Sequence, residues 1–346
     1  MKGFVHFLFH ILATCGILLF SVSCSSPAPQ KPQDIFGYNL LLRRTINLES
    51  ALDAPQKGNW GVVLKRGYFQ QIANAGFTAI RIPIRFSAHA SGEYPYTLDP
   101  HFMQLVEGAV QNTTSRHMVA ILDFHSYPDL FASPATEEDR FIAIWKQVAE
   151  HFQKSPDEQV FFELLNEPNG GLNSQSWNDL LNRTVAVVRQ SNPTRPIIIG
   201  PTNYNGYDQL DALVLPKDPN LIVTFHYYLP VEFTHQGASW IIGADAWLGK
   251  QWNASPEELD AISSVFNQVS VWAGQNHRPI FLGEFGVIEK AGQGSRVRWT
   301  TAVHQAAEAR GFSWAYWVFS NSGFDVFDLQ KNRWQIDMLH ALIPRK

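Results

Sequence analysis

The chain has 346 residues, of which 45% are hydrophobic and 13% aromatic, and its formal net charge is −4. This length and apolar content can form a large buried core, and the weak net charge excludes the strongly basic surface of a nucleic-acid-binding protein. Both cysteines, Cys15 and Cys24, lie near the start of the chain. The remainder can therefore be neither a disulfide scaffold nor a Cys-ligated metal protein.

The first 24 residues are typical of a secretory signal. Lys2 precedes an apolar run from Phe4 to Val22, which ends in small residues before Cys24. A Cys at this position resembles a bacterial lipoprotein processing site, where cleavage would leave Cys24 as a lipidated N-terminus. Cleavage with release and an uncleaved anchor are the alternatives. We expect a secreted protein, at the cell envelope or outside the cell, with residues 25–34 as a flexible tether.

From residue 35 to residue 346, short apolar runs alternate with longer amphipathic stretches. The runs predict eight strands: Phe36–Leu41, Phe77–Ile84, Met118–Phe124, Gln159–Leu165, Pro196–Gly200, Leu221–Tyr227, Pro279–Phe285 and Phe312–Phe319. Helical patterns lie at about 66–75, 100–116, 137–154, 174–191, 207–213, 256–276, 295–310 and 335–342. Strands that are apolar almost throughout indicate a parallel sheet covered by helices.

This alternation predicts a single-domain (β/α)8 TIM barrel. A doubly wound open sheet is the alternative. The first predicted strand is not followed by a Gly-rich phosphate-binding fingerprint, which disfavours that alternative.

Polar residues collect at the carboxyl ends of the predicted strands, which is where barrel enzymes build their active sites. Residues with only a structural role would be scattered over both ends. Taken singly, Arg81 could be a barrel-floor cation paired with Asp123, and each histidine could be a hydrogen-bonded core residue. The polar residues in question are Arg81, Asp123, His125, Ser126, Asn166, Glu167, His226, Tyr228 and Glu284, together with the aromatic Trp317.

Two carboxyl groups facing one cavity indicate the cleavage of glycosidic bonds. One carboxyl must be protonated to donate to the leaving oxygen and the other must be ionised, so their environments must separate their pKa values. Arg81 and Tyr228 could hold Glu284 as an anion. Glu167, facing that charge and partly desolvated, would keep its proton longer. We expect neither a metal nor a cofactor.

The ordered motifs IRIPI, NEP, HYY, GEFG and YW resemble glycoside hydrolase family 5, whose members are retaining (β/α)8 enzymes that include many cellulases and mannanases. The resemblance covers essentially the whole chain after the tether. It implies that Glu167 is the acid/base and Glu284 the nucleophile. It further implies supporting roles around the sugar at the cleavage point for Arg81, His125, Asn166, His226, Tyr228 and Trp317.

Two loops carry the resemblance further. HYYLPVEFTHQGASW resembles a loop of bacterial endoglucanases in which His235 and Trp240 face the polysaccharide. INLESALDAP resembles the first strand and loop of the family, with Asp53 as a sugar contact. Related endoglucanases commonly have other residues where this chain has Glu49, Ser50, Ser126 and Val318. These positions would touch sugars beside the cleavage point, and each lost hydrogen bond would be worth about 1 kcal/mol.

The resemblance implies a retaining endo-β-1,4-glucanase. The alternatives are a β-mannanase or xyloglucanase of the same fold, or a catalytically weak glucan-binding protein at the cell surface. A barrel hydrolase acting on amide or phosphate bonds would need metal ligands or an activated serine, and the sequence shows neither. The expected partners are a β-glucan substrate and a membrane contacted only through the lipid anchor, with no nucleic acid and a monomeric state.

Overall fold

The structure, a computed structural model, describes residues 32–49, 51–54 and 63–344. The signal segment with Cys24, most of the tether and Ser50 lie outside these residues, so the expectations about them stay predictions. Within the part of the chain that is described, no helix combines the length and the apolar character needed to span a bilayer.

Eight parallel strands close into a barrel in which the first strand pairs with the eighth. The predicted (β/α)8 fold is therefore confirmed. The barrel strands are β1 Thr45–Asn47, β2 Ala79–Ile84, β3 Val119–Phe124, β4 Val160–Glu163, β5 Ile197–Ile199, β6 Leu221–Tyr227, β7 Ile280–Phe285 and β8 Ser313–Tyr316, followed by an antiparallel pair, β9 Phe327–Asp328 and β10 Arg333–Trp334.

Most of the helices cover the outside of the barrel and alternate with its strands. They are α1 Ile35–Leu40, α2 Arg66–Ala75, α3 Pro100–Thr114, α4 Pro128–Ala132, α5 Pro134–Phe152, α6 Ser174–Arg189, α7 Thr202–Asn205, α8 Val231–Thr234, α9 Pro256–Asn276, α10 Gln293–Glu308 and α11 Ile336–Leu342. Short 3-10 segments occupy Phe86–His89, Tyr207–Ala212, Ala244–Trp247 and Glu289–Ala291.

The first predicted strand is wrong. Residues 36–41 belong mostly to α1, which begins after Asp34, whose side chain accepts a hydrogen bond from the backbone N–H of Gly37 at 2.8 Å. Tyr38 and its helical neighbours pack on side chains inside the barrel, including Phe161, and so close its N-terminal end. A short apolar run satisfies the helix and strand patterns equally well. The true β1 lies in the stretch that the family resemblance indicated.

A bulge in β7 shapes the other end of the barrel. Phe225 of β6 pairs with Leu282, but the next residue, His226, pairs with Glu284, so Gly283 is skipped in the register. A Cβ atom at Gly283 would lie 2.5 Å from Oγ1 of Thr224, so a side chain at this position would force the neighbouring atoms to move. A bulge of this kind bends a strand and re-aims the neighbouring side chain, here Glu284.

Candidate active site

The guanidinium of Arg81 organises the carboxyl end of the barrel. Arg81 is fully buried on β2. Its Nε and Nη2 atoms donate to the two carboxylate oxygens of Glu163 at 2.7 and 2.9 Å, and its Nη1 donates to Oε1 of Glu284 at 2.8 Å. The further contacts of the guanidinium are with Asn47 Oδ1 at 2.9 Å, Asn166 Oδ1 at 2.7 Å and Asp123 Oδ2 at 3.0 Å.

This buried network carries more acidic than basic groups. Arg81 contacts the carboxylates of Asp123, Glu163 and Glu284, and one positive charge cannot balance all of them. Burial raises the pKa of Asp123 to about 7 and also raises the pKa of Glu163, although Arg81 opposes both shifts. Since an unbalanced buried charge is costly, the network retains a proton near neutral pH.

Both carboxylate oxygens of Glu284 accept hydrogen bonds. Oε1 accepts from Arg81, and Oε2 accepts from the hydroxyl of Tyr228 at 2.9 Å. Burial raises the pKa of Glu284, while the neighbouring His226 and Arg81 oppose the rise. Hydrogen bonds and a cation at these distances favour the ionised form of a carboxyl group. The contacts predicted to hold Glu284 as an anion are therefore present.

Glu167 lies just beyond β4 in a different environment. Its backbone has a φ of 49°, in the left-handed region, and its carbonyl accepts from Nδ2 of Asn169 at 2.7 Å. Its side chain is 28% exposed, and Oε1 lies 2.8 Å from Nδ1 of His226. Burial raises the pKa of Glu167 to about 7; His125 and Arg81 oppose the rise and Glu163 adds to it. Glu167 therefore retains its proton to a pH near neutrality.

The two carboxyl groups face each other across a short gap. One carboxylate oxygen of Glu167, one of Glu284 and one ring nitrogen of His226 lie within 4.8 Å of one another. Carboxyl groups about 5–5.5 Å apart are typical of retaining glycosidases, whereas inverting enzymes need about 6.5–9.5 Å. The same donor spacing would suit a metal ion, but Arg81 places a positive charge beside these atoms and occupies an oxygen of Glu284, which disfavours a cation.

Aromatic rings line the cavity next to this pair. The rings of His125 and Trp317 stack with centroids 5.3 Å apart and an interplanar angle of 7°. Nδ1 of His125 lies 2.6 Å from Oδ2 of Asp123, which fixes the orientation of the imidazole and, through stacking, of Trp317. This arrangement presents a flat apolar face of the kind on which a sugar ring packs.

Comparison with known proteins decides the family. The family model described as cellulase (glycosyl hydrolase family 5) matches residues 44–323. Endoglucanase H of Acetivibrio thermocellus is 34% identical over 325 residues, which are 92% of this chain and 35% of that relative. This chain belongs to glycoside hydrolase family 5. The first curated relatives are longer proteins, of which it covers 35%, 46% and 39%.

Solved structures agree with this assignment to glycoside hydrolase family 5. Thermotoga maritima Cel5A in complex with cellobiose has a TM-score of 0.87 and 42% identity, and the match covers 90% of this chain and 100% of that one. The mannotriose complex of Cel5A has a TM-score of 0.87, 41% identity and the same coverage. These solved structures therefore share both the fold and the family of this chain.

The loop after β6 adds a cluster of aromatic rings at the rim of this family 5 site. His235 lies 5.0 Å from Tyr228 and 5.2 Å from Phe324 between ring centroids. Trp240 lies 6.2 Å from Phe324 and is 59% exposed. Burial lowers the pKa of His235 to about 4, so its imidazole is neutral. The loop therefore presents Trp240 to solvent on a support of packed rings.

The remaining predicted positions differ in exposure. Asp53 is 1% exposed, and its Oδ1 accepts from the backbone N–H of Ala51 at 2.9 Å, so its role as a sugar contact stays a prediction. Glu49 is partly buried, and burial together with the charge of Asp53 raises its pKa well above the usual range. Val318 is completely buried. The expectation that position 318 touches sugar stays a prediction.

Sequence reasoning missed three buried polar residues of this site. Glu163 ends β4, four positions before Glu167, and a charged residue in an otherwise apolar strand was the available signal. Asn47 ends β1, and its amide donates to the carbonyls of Gly283 and Tyr316, each at 3.2 Å. It was missed because the first strand was misplaced. Asn205 follows β5 and contacts His226, with no motif to mark it.

Proposed function

We propose that the chain is a retaining endo-β-1,4-glucanase in which Glu284 is the nucleophile and Glu167 the acid/base. The observation that carries this proposal is the pair itself. One oxygen of Glu167 and one of Glu284 lie within 4.8 Å of each other. The carboxyl group of Glu284 contacts the cation Arg81, and the pKa of Glu167 lies near neutrality. Endoglucanase H and Cel5A, both related to this chain, support the choice of substrate.

In the first step, a carboxylate oxygen of Glu284 attacks the anomeric carbon of the sugar. As the glycosidic bond breaks, Glu167 transfers its proton to the departing oxygen, which leaves as an alcohol. The product is a glycosyl ester of Glu284. The pKa of Glu167 near 7 keeps this proton available at neutral pH.

In the second step, Glu167 acts as a base. Ester formation removes the negative charge of Glu284, and with it the repulsion between the two carboxylates, so ionised Glu167 becomes more stable. Glu167 then takes a proton from water while the water oxygen attacks the anomeric carbon and the ester bond breaks. Two inversions at this carbon give net retention.

The surrounding residues have roles that fit this cycle. Arg81 and Tyr228 orient Glu284 and stabilise its charge, and Asn166, 2.7 Å from Arg81, is placed to bind the sugar 2-hydroxyl. Trp317, backed by His125, forms the floor under the sugar at the cleavage point. Trp240 is an exposed platform for a sugar unit of the polysaccharide further from the cleavage point.

Among β-linked polysaccharides we place β-1,4-glucan first, as cellulose-like or mixed-linkage glucan. β-Mannan is the second candidate because a Cel5A structure contains mannotriose, and xyloglucan is the third. A panel of the soluble forms of these polymers, with chromatography of the products over time, separates them. Mixed oligosaccharides of several lengths at early times support endo cleavage of the polymer that yields them.

The mechanism is tested with Glu167→Gln and Glu284→Gln, and with Glu138→Gln, which removes an exposed ion pair to Arg183 far from the cavity, as the matched control. General acid–base groups contribute about 10²–10⁴-fold, so Glu167→Gln should lose at least that, and Glu284→Gln should lose more. The control should retain wild-type turnover. Proton NMR of the first-formed product should show the β-anomer. An α-anomer, or near-normal turnover of Glu284→Gln, would refute the mechanism.

A further inference from the structure

The short segment that follows β5, given above as α7, is a turn with an unusual backbone. Asn203, Tyr204 and Asn205 have φ values of 55°, 61° and 54°, so three successive residues with side chains occupy the left-handed region. Left-handed backbone is unfavourable for residues that carry a Cβ atom, and least so for asparagine. Strain of this kind persists only where the surrounding structure imposes it, and it clusters at functional sites. The turn adjoins the candidate site, because the backbone N–H of Tyr204 donates to the carbonyl of Pro168 at 3.4 Å.

The strained turn delivers one buried side chain to the site. Asn205 is completely buried, whereas Asn203 and Tyr204 are exposed. Nδ2 of Asn205 lies 3.3 Å from Nε2 of His226. A Cβ atom at Gly200 would lie 2.3 Å from Oδ1 of Asn205, so the absence of a side chain at position 200 is what admits this amide.

The opposite ring nitrogen of His226 faces the carboxyl pair. Nδ1 lies 2.8 Å from Oε1 of Glu167 and 3.6 Å from Oε2 of Glu284. Burial lowers the pKa of His226 to about 4, so the imidazole is neutral at working pH and carries a single N–H. The charged and titratable groups around it, from four strands and the segments after them, are Arg81, His125, Glu163, Glu167 and Glu284.

The two neighbours of the ring determine which nitrogen carries that proton. A carboxylate can accept a hydrogen bond at Nδ1, whereas the amide NH2 of Asn205 can only donate at Nε2. The arrangement in which each nitrogen finds a complementary partner has the proton on Nδ1 and the lone pair on Nε2.

We propose that Asn205 is a positioning residue that fixes the tautomer of His226 and, through it, the proton of Glu167. The Nδ1–H of His226 then donates to Oε1 of Glu167. The proton of the acid is thereby placed on Oε2, the oxygen free to serve the leaving group. In the second step the same N–H stabilises the ionised acid/base. This inference rests on the proposed function only where it assigns the acid role to Glu167.

The tautomer is measured directly by NMR of the whole protein labelled with ¹⁵N-histidine, with His226→Gln used to assign the resonance. The wild type should show His226 protonated at Nδ1 and unprotonated at Nε2. In Asn205→Asp, the nearly isosteric carboxylate accepts instead of donating, so Nε2 should become protonated. A wild-type Nε2–H tautomer, or an Asn205→Asp spectrum identical to that of the wild type, would overturn the proposal. This readout needs no substrate.

Kinetics with aryl β-cellobiosides tests the consequence for catalysis. A phenyl leaving group needs protonation, whereas a dinitrophenyl group departs without it. Asn205→Asp should therefore lose about 10–100-fold in kcat/KM with the phenyl substrate, a part of the usual contribution of a general acid, and far less with the dinitrophenyl substrate. Equal losses on both substrates indicate a merely structural role and overturn the proposal.

Asn203→Ala is the matched control, because it removes an asparagine from the same strained turn without removing the amide at His226. It should lower thermal stability but leave the ratio of the two aryl rates at the wild-type value. A change in that ratio as large as that of Asn205→Asp would overturn the proposal. Asn205→Ala, which removes the donor without adding a charge, should show His226 as a mixture of tautomers. If the wild type cleaves no β-glucoside at all, the proposed function fails, while the NMR result still decides the tautomer.

Discussion

Tyr228→Phe removes the hydroxyl group that donates a hydrogen bond to Glu284, the proposed nucleophile, and leaves the aromatic ring in place. In the wild type this hydroxyl donates to Oε2 of Glu284 at 2.9 Å, while Arg81 holds the other oxygen. The phenyl ring retains the packing of Tyr228 against His235 and Phe324. The variant therefore isolates the effect of a single hydrogen bond on the ionisation of Glu284.

The size of the effect follows from the charge on the acceptor. A hydrogen bond to an ionised group is worth about 1.5–3 kcal/mol, and a shift of one pKa unit corresponds to about 1.4 kcal/mol. Loss of the hydroxyl should raise the pKa of Glu284 by about one to two units. Because Glu284 must be ionised to attack, activity is present above this pKa and lost below it. The acidic limb of the pH profile should therefore move to higher pH.

The assay is the pH dependence of kcat/KM on a soluble β-glucan or an aryl β-cellobioside. The matched control is Tyr227→Phe, the preceding residue, whose ring packs away from the cavity against Phe266 and Trp299. The control should have the wild-type profile. If the acidic limb of Tyr228→Phe moves by less than about half a unit or moves to lower pH, the inference that this hydroxyl stabilises the anion is wrong.

Two further predictions concern the carboxyl groups near Glu167. Glu163→Gln removes a negative charge that raises the pKa of Glu167. The alkaline limb of the pH profile of kcat/KM, which requires protonated Glu167, should therefore move to lower pH. An unmoved limb would contradict the inference that Glu163 raises the pKa of Glu167. Because burial raises the folded-state pKa of Glu167 to about 7, its ionisation destabilises the fold as pH rises from its ordinary pKa through about 7. Glu167→Gln should therefore unfold at a higher temperature than the wild type at pH 8 but not at pH 4 in calorimetry, and the opposite order would refute the raised pKa.

Much of the fold was predictable because the barrel strands are apolar on both faces. Leu221–Tyr227 and Pro256–Asn276 match the predicted boundaries because their patterns are long and unambiguous. The strand prediction for residues 36–41 was wrong because a helix that packs on the end of a barrel is as apolar as a strand. Its true nature depends on contacts with Phe161 and other residues distant in sequence.

The candidate site was predictable where residues stand at strand ends. Glu167 and Glu284 occupy the predicted positions facing each other, and the predicted contacts of Arg81 and Tyr228 with Glu284 are present. The acidic surplus around Arg81 could not be foreseen, because the contact with Glu163 joins residues 82 positions apart. Asn205 depends on an irregular turn, and local pattern does not predict left-handed backbone at a tyrosine.

The guanidinium of Arg81 ties together side chains from five of the eight strands, namely those of Asn47, Asp123, Glu163 and Glu284 in addition to its own. The guanidinium that links the carboxyl ends of these strands is thus also the group that supplies the positive charge beside the proposed nucleophile, Glu284. Disruption of this network by heat or denaturant must therefore remove the positive charge beside Glu284 at the same time. Selection for a more robust scaffold and selection for a sharper catalyst would therefore act here on a single side chain.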